Sequence, residues 1–380
     1  MTKLDDITDK ELVRRRVMEG YIYERRHPAL PLRILNYSPA ATFDDVWDIA
    51  TEICRGLIVD DDDVVIARPF KKFWGIGDPK HSGTHEANLS NGLPIVTGKL
   101  DGSLGVYWSY AGQEGIATRG SFTSEQAIWA TRFLSYNYPN RFRVIAKDDF
   151  TPLFEIIFAA NRIVVEYDYE GIVLLAIIEN KTGAEVSYPD MKELAGFMDV
   201  PVVTKFDKSL SEVVAENTKN AEGYVLCYHG KVRSAPLRVK VKFADYMRLH
   251  KLITGVSVKS LWKMLADGND PANSMGDGLP ESFTDWVRSW TTKMLREYNR
   301  VYEASHKVYR DFVNAPREAP FTRKEAAEEF LKHPDVASIC FSLLDVKAIV
   351  SRQIWNHVWQ NMKSKVSEED VFRQEVEDAG

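Results

Sequence analysis

The sequence predicts an α+β fold: an N-terminal domain of antiparallel β-sheets with flanking helices, followed by an all-helical C-terminal domain. Two observations predict it. From about residue 30 to 245, short β-branched and aromatic runs alternate with turn residues, the pattern of strands and hairpins. Beyond that point apolar residues recur at intervals of three and four, the period of a helix with one buried face. The domains are therefore placed at residues 1–245 and 246–380, with no internal repeat and no low-complexity linker.

In chain order, residues 8 to 20 suit a charged helix. Leu57-Ile58-Val59 and Val64-Val65-Ile66 flank Asp60 to Asp63 and read as a hairpin with a solvated acidic turn. Further strands are expected at Leu104 to Trp108, Leu153 to Phe158, Ile163 to Tyr167, Ile172 to Ile178, Tyr224 to Tyr228 and Val239 to Phe243. Helices are expected at Ser124 to Ser135 and Pro189 to Phe197. The stretch Asp267 to Pro280 is rich in Gly, Asn, Asp and Pro and reads as a loop. Phe283, Trp286, Val287, Trp290, Met294 and their successors to Phe312 form one long amphipathic helix, capped near Ser282 or Thr284. Thr322 and Glu325 make a capping-box pattern, and Val346 to Met362 reads as a last long helix.

The chain has 380 residues, 44% of them hydrophobic, enough for a sizeable core. No apolar run reaches the roughly 18 residues that span a bilayer, so no membrane partner is expected. Residues Met1 to Asp6 lack the apolar core of a secretory signal, which makes the cytoplasm the expected compartment. Cys54, Cys227 and Cys340 are odd in number, far apart and without a C-x-x-C pair, a pattern that excludes a disulfide framework, argues against a cysteine zinc site and reads as buried reduced thiols. Net charge is −6, which alone argues against a nucleic-acid partner. Arg14, Arg15, Arg16, Arg25 and Arg26 nevertheless cluster, either as a solvated helix face or as a nucleic-acid contact.

The most informative segment is Pro94-Ile95-Val96-Thr97-Gly98-Lys99-Leu100-Asp101-Gly102-Ser103. It is not a phosphate-binding P-loop, because five residues separate Gly92 from Gly98 and Leu100 stands where Ser or Thr must hold magnesium. It does match K-x-D-G, which arises by chance in roughly one chain in ten of this length; the bland reading is a hairpin turning at Asp101-Gly102. Other motifs agree in order: Cys54-Arg55-Gly56-Leu57 upstream, then Phe154-Glu155-Ile156-Ile157, Glu222-Gly223-Tyr224-Val225 and Lys240-Val241-Lys242.

This constellation resembles the covalent nucleotidyltransferase superfamily of ligases and capping enzymes, and within it the phage-type RNA ligase 1 family. Tyr37, Arg68 to Trp74, Thr118-Arg119-Gly120-Ser121 and Asn161-Arg162-Ile163-Val164 add to the resemblance, which covers about residues 35 to 250. Leu100 departs from the family's frequent acidic residue and Arg119 from its usual lysine. The resemblance implies an N-terminal nucleotidyltransferase domain and three steps: ligase and ATP give ligase-AMP, AMP moves to an RNA 5′-phosphate, and a 3′-hydroxyl displaces AMP. It implies a C-terminal domain that selects the RNA, Mg²⁺ as cofactor, and ends in nicked tRNA as substrate. A separate polynucleotide kinase-phosphatase is an expected partner, in the host cytoplasm if the protein is phage-encoded.

The residue chemistry is consistent with those roles. A lysine nucleophile with a free pKa of about 10.4 needs roughly 4.6 kcal/mol of ammonium destabilisation to react near pH 7. Lys240 and Lys242 alternate on a strand, share one face, and would depress the Lys99 pKa and bind phosphate if that face meets Lys99. Lys99, Lys240, Lys242 and Glu222 are the expected catalytic set. Tyr37, Arg55, Lys72, Gly102, Arg119 and Glu155 complete the expected ATP site, with Glu155 as a ribose-hydroxyl acceptor and the cations on the phosphates. Glu222 is the expected metal ligand and Asp270 a second candidate on position alone. Asp101 reads as structural, and Tyr246 as packing or as reaching the site. The rivals are a DNA ligase, a capping guanylyltransferase and a non-catalytic RNA-binding protein; the first two would need a β-barrel module where helices are predicted.

Overall fold

The computed structural model describes residues 1–89, 93–158, 164–229, 234–275, 279–346 and 351–363. Among them, the apolar runs around the four aspartates do form a hairpin. In chain order the strands are β1 (Ile22–Arg26), β2 (Leu32–Tyr37), β3 (Arg55–Asp60), β4 (Val65–Ala67), β5 (Trp74–Gly75), β6 (Ile95–Lys99) and β7 (Ser103–Tyr110). They continue as β8 (Gln113–Thr118), β9 (Phe150–Ile157), β10 (Gly171–Glu179), β11 (Lys205–Phe206), β12 (Gly223–Tyr228) and β13 (Leu237–Lys242). Three sheets result, in orders β1-β2-β3-β4, β10-β9-β7-β8 and β11-β6-β12-β13-β5. Pairing of these strands is antiparallel except between β13 and β5.

The period of two along each strand sets the layering. Leu35, Leu57 and Val59 pack with Val13 of the helix Lys10–Met18 and Ile53 of the helix Ile49–Ile53. Their neighbours Ile34 and Ile58 face the opposite way, onto Leu104, Val106 and Leu153 of the second sheet. That sheet's other face, with Phe154, Ile156 and Leu174, meets Ala130 and Leu134 of the helix Glu125–Asn137 and Met191 and Ala195 of the helix Tyr188–Met198. The third sheet is the one that carries the lysines.

The chain divides into two compact units, one spanning Met1–Arg248 and a second that begins at Leu249. The second unit's described elements are helices, chiefly Val258–Ala266, the 33-residue Glu281–Val313, Arg323–Phe330, Ala337–Val346 and Ser351–Met362. Its core includes Phe283, Met294, Val301, Phe330, Ile354 and Val358, all fully buried.

Several expected elements differ. Ile163 lies outside the described residues, and Val164 to Tyr167 form no strand; the amides of Val164 and Val165 instead donate to Asp101, described below. The long helix begins after Pro280, whose N-cap position makes no side-chain bond, and Thr284 donates its hydroxyl back to the Pro280 carbonyl. The loop Asp267 to Pro280 contains the short helix Pro271–Ser274. The expected Val346–Met362 helix is seen as the end of Ala337–Val346 and as Ser351–Met362, with residues 347–350 outside the described set. The Thr322–Glu325 capping box forms as read.

Candidate active site

The three lysines and the glutamate sit on three adjacent strands because of register. Gly223 at the head of β12 pairs with Lys99 at the end of β6 on one side and with Lys242 at the end of β13 on the other. Glu222, the residue before β12, therefore stands between two ammonium groups. Lys99 Nζ lies 2.8 Å from Glu222 Oε2, and Lys242 Nζ lies 3.1 Å from Oε1. The carboxylate is 3% exposed, so this is a buried charge held by two cations. Gly223 makes the arrangement possible: its φ is +151°, and a Cβ there would lie 1.9 Å from the Val241 carbonyl oxygen.

Lys240 lies two residues from Lys242 on the same face of β13, and it is half-buried. Burial lowers its pKa to about 6, helped by the positive charges of Lys242, Lys99, Lys72 and Arg55. Five cations expected at a phosphate site are thus close enough to act on one another. They act together on Lys240, and Lys99 Nζ also faces the Glu222 carboxylate.

Lys72 is 3% exposed, with its Nζ 5.1 Å from the Tyr37 ring centroid and 4.7 Å from that of Trp47. Arg119 donates from Nη1 to the Tyr37 hydroxyl at 2.8 Å. Tyr37, Trp47 and Trp74 follow one another edge to face, and Trp74 stacks on His81 with centroids 3.7 Å apart. Aromatic faces attract cations through their quadrupoles, so this ladder positions Lys72 and Arg119 by ring contacts that do not themselves neutralise the two charges.

The turn after Lys99 is tied from three directions. Asp101 Oδ2 accepts the amides of Val164 and Val165 at 3.0 and 2.9 Å, and Oδ1 accepts the Tyr246 hydroxyl at 2.9 Å. The Asp101 amide donates to the Tyr167 hydroxyl at 2.7 Å. Gly102 runs against β9: a Cβ there would lie 2.5 Å from the Ile156 carbonyl oxygen and 3.1 Å from Glu155 Oε1. Glu155 is consequently held beside the turn, 9% exposed.

A model of the RNA ligase family matches residues 53–247, just over half of the chain and all of the site from Arg55 to Tyr246. The chain belongs to the RNA ligase family. A Thermovibrio ammonificans protein named "Putative RNA ligase" is 28% identical over 194 residues, 50% of this chain and 50% of that protein. The chain thus spans about half the length of this curated relative. Among solved structures, an archaeal ATP-dependent RNA ligase aligns over 78% of this chain and 80% of its own, with TM-score 0.44 and 15% identity. A structure titled as a putative ATP-dependent DNA ligase from Aquifex aeolicus aligns over 85% and 80%, with the same TM-score of 0.44 and 15% identity.

In this RNA ligase family member the structure brings together Lys99, Glu222, Lys240, Lys242, Lys72 and Arg55, and joins Tyr37 to Lys72 and Arg119. Asp270 behaves differently: its Oδ1 accepts the Ala272 amide and its Oδ2 the Asn273 side-chain amide, so it caps the helix Pro271–Ser274 in the second unit. Asn161, Arg162 and Ile163 lie outside the described residues. Arg14 and Arg16 are engaged locally, Arg14 with Glu11 at 2.5 Å and Arg16 with Glu19 at 2.6 Å and Asp48 at 2.8 Å. The sequence reading missed Trp47, whose only signal is an aromatic ten residues after Tyr37; of the two readings of Tyr246, its hydroxyl bond to Asp101 fits the one that reaches the Lys99 turn. No helix among the described residues is long and apolar enough to cross a membrane.

Proposed function

We propose that the chain is an ATP-dependent RNA ligase in which Lys99 carries AMP. The observation that supports it most is the buried Glu222 carboxylate shared between Lys99 and Lys242, with Lys240, Lys72 and Arg55 close by. Phosphoryl transfer needs little covalent help from a protein and depends on positioning and on neutralising charge.

Lys99, once its Nζ loses a proton, attacks the α-phosphorus of ATP; an N–P bond forms, the P–O bond to the β-phosphate breaks, and pyrophosphate leaves. Lys240, Lys242, Lys72, Arg55 and Arg119 carry the phosphates, and the anion returns Lys240 to its ammonium form. Glu155 accepts from a ribose hydroxyl beside Gly102. An RNA 5′-phosphate oxygen then attacks the adenylyl phosphorus and frees the Lys99 amine. Finally a 3′-hydroxyl attacks the RNA 5′-phosphorus, and AMP departs.

The donor chemistry suits a divalent cation such as Mg²⁺ or Mn²⁺, which binds through one or two carboxylates together with substrate phosphates. Glu222 is the buried hard-oxygen donor that would hold it, and when bound the ion would supply charge neutralisation at the phosphates. Broken tRNA with 5′-phosphate and 3′-hydroxyl ends is the proposed substrate, made ready by a separate kinase-phosphatase. The second unit would select the RNA; its described elements are helices, which favours this reading over ligases that carry a β-barrel there.

The test is incubation with ATP labelled at the α-phosphorus, followed by joining assays on nicked tRNA and nicked DNA. Acid-stable, lysine-linked AMP is expected on the wild-type chain and not on Lys99→Ala. Label persisting on Lys99→Ala would overturn the nucleophile. Joining of DNA in preference to RNA would transfer the chain to the DNA ligase reading.

A further inference from the structure

The β12–β13 hairpin has a second cluster at its other end, for which the ligase chemistry has no use. Cys227 and His229 are two residues apart on β12 and its extension, so both point to one face. Glu185, in the segment between β10 and the helix Tyr188–Met198, meets them there. The Cys227 thiol lies 3.7 Å from Glu185 Oε2 and 3.5 Å from His229 Nε2. One ligand atom from each of the three residues lies within 4.8 Å of the other two, the one such group among the described residues. They line a cavity of about 30 Å³, room for a single ion or one to two waters.

The two distances from sulfur match edges of a metal's coordination polyhedron. With Zn–S near 2.3 Å and Zn–N and Zn–O near 2.1 Å, a tetrahedron sets its S···N and S···O edges at about 3.6 Å. A thiol, an imidazole and a carboxylate are also the ligand types that zinc takes, while Ca²⁺ and Mg²⁺ prefer all-oxygen sets. Arg238 stands directly across from Cys227 in the ladder and bonds the other carboxylate oxygen, Glu185 Oε1, at 2.6 Å. It thereby orients Glu185 so that Oε2 faces the thiol, as outer partners orient ligands in metal sites. His229 is exposed, which leaves a fourth position to water. Cys227 is four residues along β12 from Gly223, about 13 Å at strand rise, so this cluster is separate from Glu222.

We propose that Glu185, Cys227 and His229 form a site for one zinc-class divalent cation that ties β12 to the segment following β10. This stands apart from the ligase reading and needs no nucleotide. Binding replaces the thiol proton, which leaves to solvent, by an S–metal bond, with no change of oxidation state.

Titration of the full chain with Co²⁺, which takes zinc's geometry, should give a thiolate-to-cobalt charge-transfer band saturating at one ion per chain, displaced by Zn²⁺. The band should vanish in Cys227→Ala. In His229→Ala and Glu185→Gln, Zn²⁺ affinity measured against a chromophoric chelator should fall by more than the roughly 100-fold that losing an outer partner reaches. Cys340→Ala and His333→Ala should bind as wild type, and circular dichroism checks that each variant is folded. Zn²⁺ should also raise the melting temperature of wild type but not of Cys227→Ala. Absence of the band, its survival in Cys227→Ala, or undiminished affinity in both His229→Ala and Glu185→Gln would each overturn the assignment.

Discussion

Lys240 is the residue whose environment makes the sharpest prediction. Burial and four neighbouring cations hold its pKa at about 6, so above pH 6 the free protein carries it mostly neutral. A bound polyphosphate favours the ammonium, so binding takes up a proton. Affinity for ATP should therefore weaken as pH rises above 6, by up to about tenfold per unit from this group. Titration calorimetry in buffers of different ionisation enthalpy should register that uptake, and Lys240→Met should lose the part of it that belongs to Lys240. Gly223→Ala should destabilise the chain by at least about 2 kcal/mol in urea unfolding, because its Cβ would strike the Val241 carbonyl. The clustering of Lys99, Glu222, Lys240 and Lys242 was legible in the sequence because K-x-D-G, E-G and K-x-K each lie in or beside one strand, so local spacing carries them. Trp47 was not, since its position beside Lys72 arises from packing that no local pattern encodes.

At the scale of elements, the turn between β6 and β7 is where the sequence and the structure part. Val164 and Val165 carry the β-branched signature of a strand, yet their amides are spent on a carboxylate 63 and 64 residues away. A tertiary acceptor outcompeted the ladder, and only the folded chain reveals it. Tyr246 reaches Asp101 across 145 residues, from the helix Ala244–Gly255. Tyr246→Phe would leave Asp101 one donor short while keeping the ring. We expect a loss of about 1–2 kcal/mol in denaturant unfolding, and a slower Lys99 adenylylation as the turn loosens; unchanged values for both would assign Tyr246 to packing alone. By contrast, the first hairpin could be read directly, because the apolar runs Leu57-Ile58-Val59 and Val64-Val65-Ile66 flank four aspartates; which layer each side chain meets shows only in the fold, since all three residues of the first run are apolar.

For the molecule as a whole, Lys99, Glu222, Lys240 and Lys242 all belong to the unit ending at Arg248. Under the proposed function, a chain cut after Arg248 should still accept AMP on Lys99 but join nicked tRNA poorly; labelling and sealing assays on the same preparation separate the two. Equal sealing of every RNA by the shortened chain would remove the second unit from substrate choice. The long amphipathic helix of that unit was plain from its three-four repeat, whereas its start was not, because Pro280 supplies a backbone geometry rather than a capping side chain. The third sheet has one more consequence. Among the described residues, β13 is followed in that sheet by the two-residue β5 alone, paired at Val239 and Lys240, so most of β13 is close to a sheet margin. Margins of that kind recruit strands from other molecules, and alternating positive charge is a standing deterrent. Lys242, at the end of that strand, supplies such a charge, so a group proposed to await phosphate also discourages one copy of the protein from zipping onto the next.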